Sequence, residues 1–298
     1  MRERQDADAR FFLNNSYAGG IIIMKFQYLG TAAAEGWPGL FCECENCERA
    51  RAAGGKNIRK RSQAILDDRL LLDFPMDTYA NFAFAGINGA KINSCLITHS
   101  HDDHFTPVDF FTRREPFAHI RDKKPMEIYG RGAVIRKYYD MNGGKNPYED
   151  DFVFHEIHPF DVFKVNGYTV TALPADHDQK SDPVNYTISD GDKTMLYAHD
   201  TGYFKEEIWQ YLTDKKFRFH FVSLDCTNIL LTWRTGHMGI DACVDVKSRM
   251  LEAGLADEKT IFCVSHFSHN GGLIFDEMVP VMKEYGILVS YDGMEINF

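Results

Sequence analysis

The stretch Thr98-His99-Ser100-His101-Asp102-Asp103-His104 decides how the rest of the chain is read. It follows an apolar run, Ile92-Asn93-Ser94-Cys95-Leu96-Ile97, that reads as a buried strand running into a loop. A strand end holds side chains rigidly, and the loop beyond it turns several of them toward one point. His99 and His101 alternate along an extended chain and so face the same side. Asp103 and His104 come after the turn and face a second point close by. One run can therefore begin two adjacent metal sites. Imidazole suits zinc and similar ions, and a carboxylate can bridge ions or orient a bound water. The plainer reading is a polar loop with chance histidines. The chain has 12 histidines in 298 residues, so three between positions 99 and 104 argue against chance.

The pattern His99-x-His101-x-Asp103-His104 after a strand resembles the signature of the metallo-β-lactamase superfamily. The resemblance implies three more ligands at strand ends: a lone histidine, a bridging aspartate and a late histidine. Candidates stand in that order. His177 follows the strand-like Tyr168-Thr169-Val170-Thr171-Ala172, Asp200 closes Thr194-Met195-Leu196-Tyr197-Ala198-His199, and His266 closes Thr260-Ile261-Phe262-Cys263-Val264-Ser265. A lone histidine is more often a hydrogen-bonded structural residue than a ligand. Three in register with one pattern weigh more than each alone.

A second cluster, Cys42-Glu43-Cys44-Glu45-Asn46-Cys47, sets three thiols close together. Thiolates at this spacing suit a closed tetrahedral zinc site. A disulfide reading leaves one cysteine odd and demands an oxidising compartment. The fourth ligand must come from elsewhere, and His269, three residues after His266, is the choice. Cys95, Cys226, Cys243 and Cys263 lie in apolar stretches and read as buried small hydrophobes. Together, CxCxxC, HxHxDH and a late HxxH resemble the phosphoribosyl cyclic phosphate phosphodiesterases of phosphonate breakdown. Leu29-Gly30-Thr31-Ala32-Ala33-Ala34-Glu35-Gly36-Trp37-Pro38 fits that branch as well. That resemblance implies a structural zinc on Cys42, Cys44, Cys47 and His269. It also implies a catalytic histidine after the strand end Asp225-Cys226-Thr227, and His237 is the match. Two places depart from the pattern: Phe105-Thr106-Pro107 follows His104, and residues 228–235 are unusually apolar, with Ile229, Leu230, Leu231 and Trp233.

The composition is that of a globular chain, with 44% hydrophobic residues in 298. No run is long enough to cross a membrane as a helix, and no secretory signal is seen, so the cytoplasm is the expected location. Residues 1–23 are expected to be an extension and 24–298 a single catalytic domain. Turn signals at Asn166-Gly167, Asp190-Gly191 and Asp292-Gly293 predict hairpins, and Asp67-Asp68 predicts another. Helices are predicted over residues 105–114, 133–141, 206–213, 240–253 and 273–285, the fourth stopping at Gly254. Strands and helices alternate around several hairpins. That suits an α/β (α+β) fold: a four-layer αββα sandwich of two mixed β-sheets with helices outside.

The resemblance implies one divalent ion, zinc or manganese, on His99, His101, His177 and Asp200. A second would sit on Asp103, His104, Asp200 and His266. It further implies attack on phosphorus by a metal-bridging hydroxide, with Asp103 and His237 catalytic, and often a homodimer. The net charge of −10, from 33 basic and 43 acidic residues, argues against a long nucleic acid. Arg59-Lys60-Arg61 reads as a solvated turn before a strand, and Arg113-Arg114 is a candidate for phosphate contacts. A small, cyclic phosphodiester is therefore the expected substrate. Three alternatives stay open: a transfer-RNA-processing type of nuclease, a thioester or lactam hydrolase, and a non-catalytic metal-binding relative.

Overall fold

Leu70, Leu71 and Leu72 show why the chain layers as it does. Successive side chains of a strand point to opposite faces. Leu70 and Leu72 enter the core between two sheets, while Leu71 enters the core on the outer face. The computed structural model describes residues 23–298; the expected extension falls almost wholly outside them.

One sheet holds β1 (Lys25–Gly30), β2 (Gln63–Leu66), β3 (Leu70–Leu72), β4 (Ser94–Leu96), β5 (Met126–Gly130), β6 (Phe152–Glu156) and β14 (Glu295–Asn297). The other holds β7 (Val162–Val165), β8 (Tyr168–Pro174), β9 (Val184–Ser189), β10 (Thr194–Ala198), β11 (Phe221–Asp225), β12 (Ile261–Ser265) and β13 (Leu288–Val289). Their orders are β14-β1-β2-β3-β4-β5-β6 and β13-β12-β11-β10-β9-β8-β7. Both sheets are mixed in the same way. Strands β14 to β3 pair antiparallel and β3 to β6 parallel. Strands β7 to β10 pair antiparallel and β10 to β13 parallel.

Phe26, Tyr28, Tyr186, Tyr197 and Phe221 fill the space between the sheets. Helices α4 (Glu206–Asp214), α5 (Ile240–Glu252) and α6 (Phe275–Glu284) cover the second sheet through Trp209, Met250 and Met282. Helix α3 (Gly132–Met141) covers the first through Val134 and Tyr138. The result is the four-layer sandwich that the alternation of strands and helices predicts. Each fully buried Leu or Phe contributes roughly 1.5–3 kcal/mol relative to exposure. Among the described residues no helix is long and apolar enough to cross a membrane.

Four expectations need correction. Residues 105–114 form only a 3-10 turn, Pro107–Arg113. Phe105 is held in a bridge to Phe74, which keeps the backbone from closing into α-helix earlier. Two helices were not predicted: α1 (Glu45–Ala53), which buries only Cys47 and Ala50, and α2 (Thr78–Ala85), whose aromatic side chains are largely exposed. Asp292-Gly293 makes no hairpin, because β13 and β14 lie in different sheets and the turn carries the chain between them. Arg59 is no solvated turn residue. It is 3% exposed, donates to Thr31 Oγ1 and the Ser290 carbonyl, and lies 4.3 Å over the Phe267 ring. The hairpins at Asn166-Gly167, Asp190-Gly191 and Asp67-Asp68 are present, the last with both residues at positive φ.

Gly30 ends β1 where the β1–β2 register shifts. A Cβ there would stand 1.9 Å from the Arg61 carbonyl oxygen. Gly30→Ala is expected to cost about 1–3 kcal/mol or more through forced separation of the two strands. Urea unfolding checks this, and an unchanged midpoint would show that the strands part freely.

Candidate metal centre and active site

The parallel strands of both sheets end at one place. Asp73 follows β3, the Thr98–His104 loop follows β4, Asp200 follows β10, Asp225 closes β11 and His266 follows β12. Ligands of open sheets commonly collect outside such carboxyl ends. Asp73, Asp200 and His266 take φ values of 64°, 57° and 63°. Positive φ is uncommon for residues other than glycine, and three at one site mark a backbone held by its surroundings. His99, Asp103, His104, Asp200 and His266 are buried; His101 and His177 are partly open.

Nitrogen and oxygen atoms converge on two points. His99 Nε2 and His177 Nε2 lie 3.0 and 3.2 Å from His101 Nδ1. Asp200 Oδ2 lies 3.1 Å from His99 Nε2 and 3.3 Å from His104 Nε2. His104 Nε2 and His266 Nε2 are 3.1 Å apart, and Asp103 Oδ2 is 3.4 and 3.8 Å from them. His99, His101, His177 and Asp200 form one group whose ligand atoms lie within 4.8 Å of one another; Asp103, His104, Asp200 and His266 form a second. These are the two groups expected from the sequence, joined at Asp200.

The donor set fits divalent cations. Asp200 Oδ1 is buried without a hydrogen-bond partner, although His177 Nδ1 and His237 Nδ1 stand 3.3 and 3.1 Å away. Imidazole nitrogens facing each other across 3 Å need a cation or a proton between them. Burial pushes His99 down to about 4, the neutral form that binds metal. Burial also acts to lower His266 and His237. Asp200 with its neighbours overrides it for His266, lifted to about 9, and Asp200 and Asp225 do so for His237, lifted to about 11. Burial works to raise Asp103 and Asp200, but the facing histidines hold both below the carboxylate range. Ligands must be deprotonated, so metal binding would release protons from these imidazoles.

Behind the two groups lie residues that sequence reasoning missed. Asp73 is fully buried; it accepts from Thr98 N at 2.7 Å and Thr98 Oγ1 at 2.9 Å, and His104 Nδ1 is 2.8 Å away. Asp225 accepts backbone N–H groups of Asp200, Thr227 and Met238 at 3.0, 3.1 and 2.9 Å. It also lies 3.4 Å from both His237 Nδ1 and His266 Nδ1. Its one usable signal was a carboxylate closing an apolar strand, as in Leu70-Leu71-Leu72-Asp73 and Phe221-Val222-Ser223-Leu224-Asp225. Asp200, Asp225, His237 and His266 also form a metal-capable group, so His237 sits at the edge of the cluster. Arg113 and Arg114 are engaged elsewhere: Arg113 donates to the Lys124 carbonyl, and Arg114 lies over Tyr148.

Cys42, Cys44, Cys47 and His269 form a separate metal-capable group. His269 Nδ1 is 3.3 Å from Cys44 Sγ and 3.7 Å from Cys42 Sγ. Cys47 Sγ accepts the Gly39 N–H at 3.2 Å from the first turn of α1. Burial acts to raise Cys44, but the Cys47 backbone and the neighbouring thiols and His269 bring it down to about 6. A thiol so lowered is largely the thiolate that binds metal. Cys95, Cys226, Cys243 and Cys263 are buried in the core.

The family model of the β-lactamase superfamily domain matches residues 69–262. Coenzyme PQQ synthesis protein B of Ruegeria pomeroyi is 23% identical over 303 residues, spanning 92% of this chain and 99% of that protein. A solved diphosphatase from the PhnP family superposes with TM-score 0.72 at 18% identity, over 93% of this chain and 97% of that one. Zinc-bound PqqB from Methylobacterium extorquens gives 0.68 at 20% identity, over 91% and 99%. At these identities the likeness to solved structures is one of fold.

Two outcomes check the site. Asp73→Asn is expected to weaken metal binding at the His104 group about 10–100-fold, because the outer partner fixes ring orientation and tautomer. Chelator competition measures it, and unaltered affinity would show that His104 is oriented without Asp73. Cys44→Ser is expected to lose one equivalent of zinc by elemental analysis while the histidine groups keep theirs; full retention would remove the thiolate site.

Proposed function

Because this chain belongs to the β-lactamase superfamily, we propose that it is a dinuclear metal-dependent hydrolase of a small, cyclic phosphodiester. The observation that carries this reading is Asp200, a single buried carboxylate shared by two four-residue groups and faced by His237. A bridging carboxylate offsets the repulsion between two cations held close together. When bound, such ions supply Lewis acidity toward phosphoryl oxygens and lower the pKa of water.

The chain's own residues supply the rest. Ionised Asp103 accepts a hydrogen bond from the attacking water and orients it. His237 turns Nδ1 toward Asp200 and Asp225, which leaves Nε2 as the nitrogen that meets the substrate. The two carboxylates favour its protonated form, so it donates a proton to the leaving oxygen or a hydrogen bond to the phosphate. The negative net charge and a ligand held mainly by the metal centre favour a small anion over a polynucleotide. Zinc on Cys42, Cys44, Cys47 and His269 would hold α1 against the segment that follows His266.

A second reading, a metal-binding protein without hydrolytic activity, draws on the whole-length likeness to the PQQ synthesis protein. Activity separates the two. With metal-replete protein, hydrolysis of bis-p-nitrophenyl phosphate and of a 2′,3′-cyclic nucleotide is expected to vanish in Asp200→Ala. Activity surviving that change would contradict the shared-carboxylate mechanism, and inactivity of the parent protein would favour the second reading. His237→Gln is expected to lower kcat for the cyclic nucleotide about 10²–10⁴-fold. It should spare bis-p-nitrophenyl phosphate, whose leaving group needs no proton. As a general acid, His237 loses function as pH rises through its pKa; the Asp200 and Asp225 carboxylates act to raise it, and cations held at Asp200 would act against them. The alkaline fall in cyclic-nucleotide hydrolysis should therefore disappear in His237→Gln; its persistence would assign the limb to another group.

A further inference from the structure

Thr227 follows β11 and is buried behind His266. Its Oγ1 lies 2.6 Å from the His266 carbonyl oxygen, 2.7 Å from His266 Nδ1 and 2.9 Å from Asp225 Oδ2. A hydroxyl carries one proton and accepts at its lone pairs. The carbonyl and the carboxylate are acceptors only, so that proton goes to one of them. Donating it to Nδ1 instead would leave both oxygens facing Oγ1 lone pairs at these distances. His266 Nδ1 is therefore the donor and Oγ1 its acceptor. With a proton on Nδ1, the ring presents Nε2 to the metal-capable group, where His104 Nε2 is 3.1 Å and Asp103 Oδ2 3.8 Å away.

Asp225 is the more distant partner of His266. Its Oδ2 is 3.4 Å from His266 Nδ1 and already accepts the Asp200 N–H at 3.0 Å. The same oxygen is 3.4 Å from His237 Nδ1. By accepting the His266 N–H, the threonine leaves that oxygen to Asp200 and His237. His104, the other histidine of the group, needs no intermediary, since its Nδ1 meets Asp73 Oδ2 directly at 2.8 Å. The counterpart in the first sheet is Thr98, whose Oγ1 donates to Asp73 Oδ1 at 2.9 Å and lies 3.1 Å from His99 Nδ1. Thr227 is itself anchored. Its N–H donates to Asp225 Oδ1 at 3.1 Å, and its carbonyl accepts the Ser268 N–H at 3.3 Å. A β-branched side chain so held has little freedom at χ1. It grips the backbone and the ring of His266 together, at a residue whose φ is 63°.

We propose that Thr227 is the positioning residue of the second metal group. Its hydroxyl relays Asp225 to His266, keeps the proton on Nδ1 and aims Nε2 at the cation. The inference deepens the dinuclear reading and rests on it. Outer partners of this kind contribute about 10–100-fold to metal affinity.

Zinc affinity of the full chain, measured by chelator competition, tests it. The parent chain is expected to hold one equivalent on the thiolate group and one on each histidine group. Thr227→Val keeps the shape and removes the hydroxyl. It should weaken one equivalent about 10–100-fold and leave the others unchanged. Thr227→Ala, which cannot crowd the site, should do the same if valine impairs folding. Thr227→Ser should restore affinity to near the parent value. In nitrogen NMR spectra of the histidine-labelled, zinc-loaded chain, the His266 Nδ1–H should exchange slowly in the parent and in Thr227→Ser. It should be shifted or lost in Thr227→Val. Unchanged affinity in both Thr227→Val and Thr227→Ala, a serine variant as weak as the valine one, or equal weakening of every equivalent would each overturn the proposal. A parent chain that takes up zinc at the thiolate group alone would instead overturn the dinuclear reading, and the role of Thr227 with it.

Discussion

The carboxylate of Asp200 is the constraint to which the surrounding structure answers. It is buried, ionised and faced by His99, His104, His177, His237 and His266. A charge so placed is costly unless compensated. The carboxylates around them displace His104, His237 and His266 upward, toward the charged form that compensates Asp200, while burial displaces His99 downward. Divalent cations would do it more completely. Asp200 reaches this position only by adopting positive φ at the end of β10, a conformation that costs of order 1–3 kcal/mol unless its surroundings enforce it. The Asp225 carboxylate, accepting the Asp200 N–H, is part of that enforcement.

The two sheets contribute to each metal-capable group together. His99, His101, Asp103 and His104 come from the first sheet's β4 exit; His177, Asp200 and His266 come from exits of the second. Any cation held there therefore ties the sheets to each other, at the end where only loops otherwise do so. Phe74 extends the connection outward. Its N–H donates to the His104 carbonyl at 2.7 Å while its ring meets Phe110 edge-on in the core outside the first sheet.

The sequence made the site more legible than the scaffolding behind it. His99 to His104 announce themselves by density, and the thiols of Cys42, Cys44 and Cys47 by spacing. His177, Asp200 and His266 were each single residues that gained meaning only in company. Asp73 and Asp225 had no such company: an aspartate closing a strand reads equally as a turn residue, and only the fold brings it behind a histidine. Helix α1 was hidden because its face toward the core is just Cys47 and Ala50. Arg59 misled for the converse reason, since a charge flanked by charges suggests water, while its guanidinium is enclosed by Phe267, Phe275 and Trp37. The Asp292-Gly293 turn has hairpin chemistry, but chemistry of that kind fixes a local reversal and not which strands it joins.

The pairing of β1 with both β2 and β14 bears on how the protein is made. Met24 and Phe298 exchange backbone hydrogen bonds at 3.1 Å each, so the first and last strands lie side by side. A chain emerging from the ribosome offers β1 early but cannot close its outer edge until β14 has left the exit tunnel. Until then that edge stays open to pairing with other chains. His266 lies 162 residues after His104, so neither the first sheet nor the second metal group can be complete before β14 and His266 have been made. Closing the first sheet therefore joins segments far apart in sequence, a pairing whose loop-closure entropy must be met before its contacts are gained.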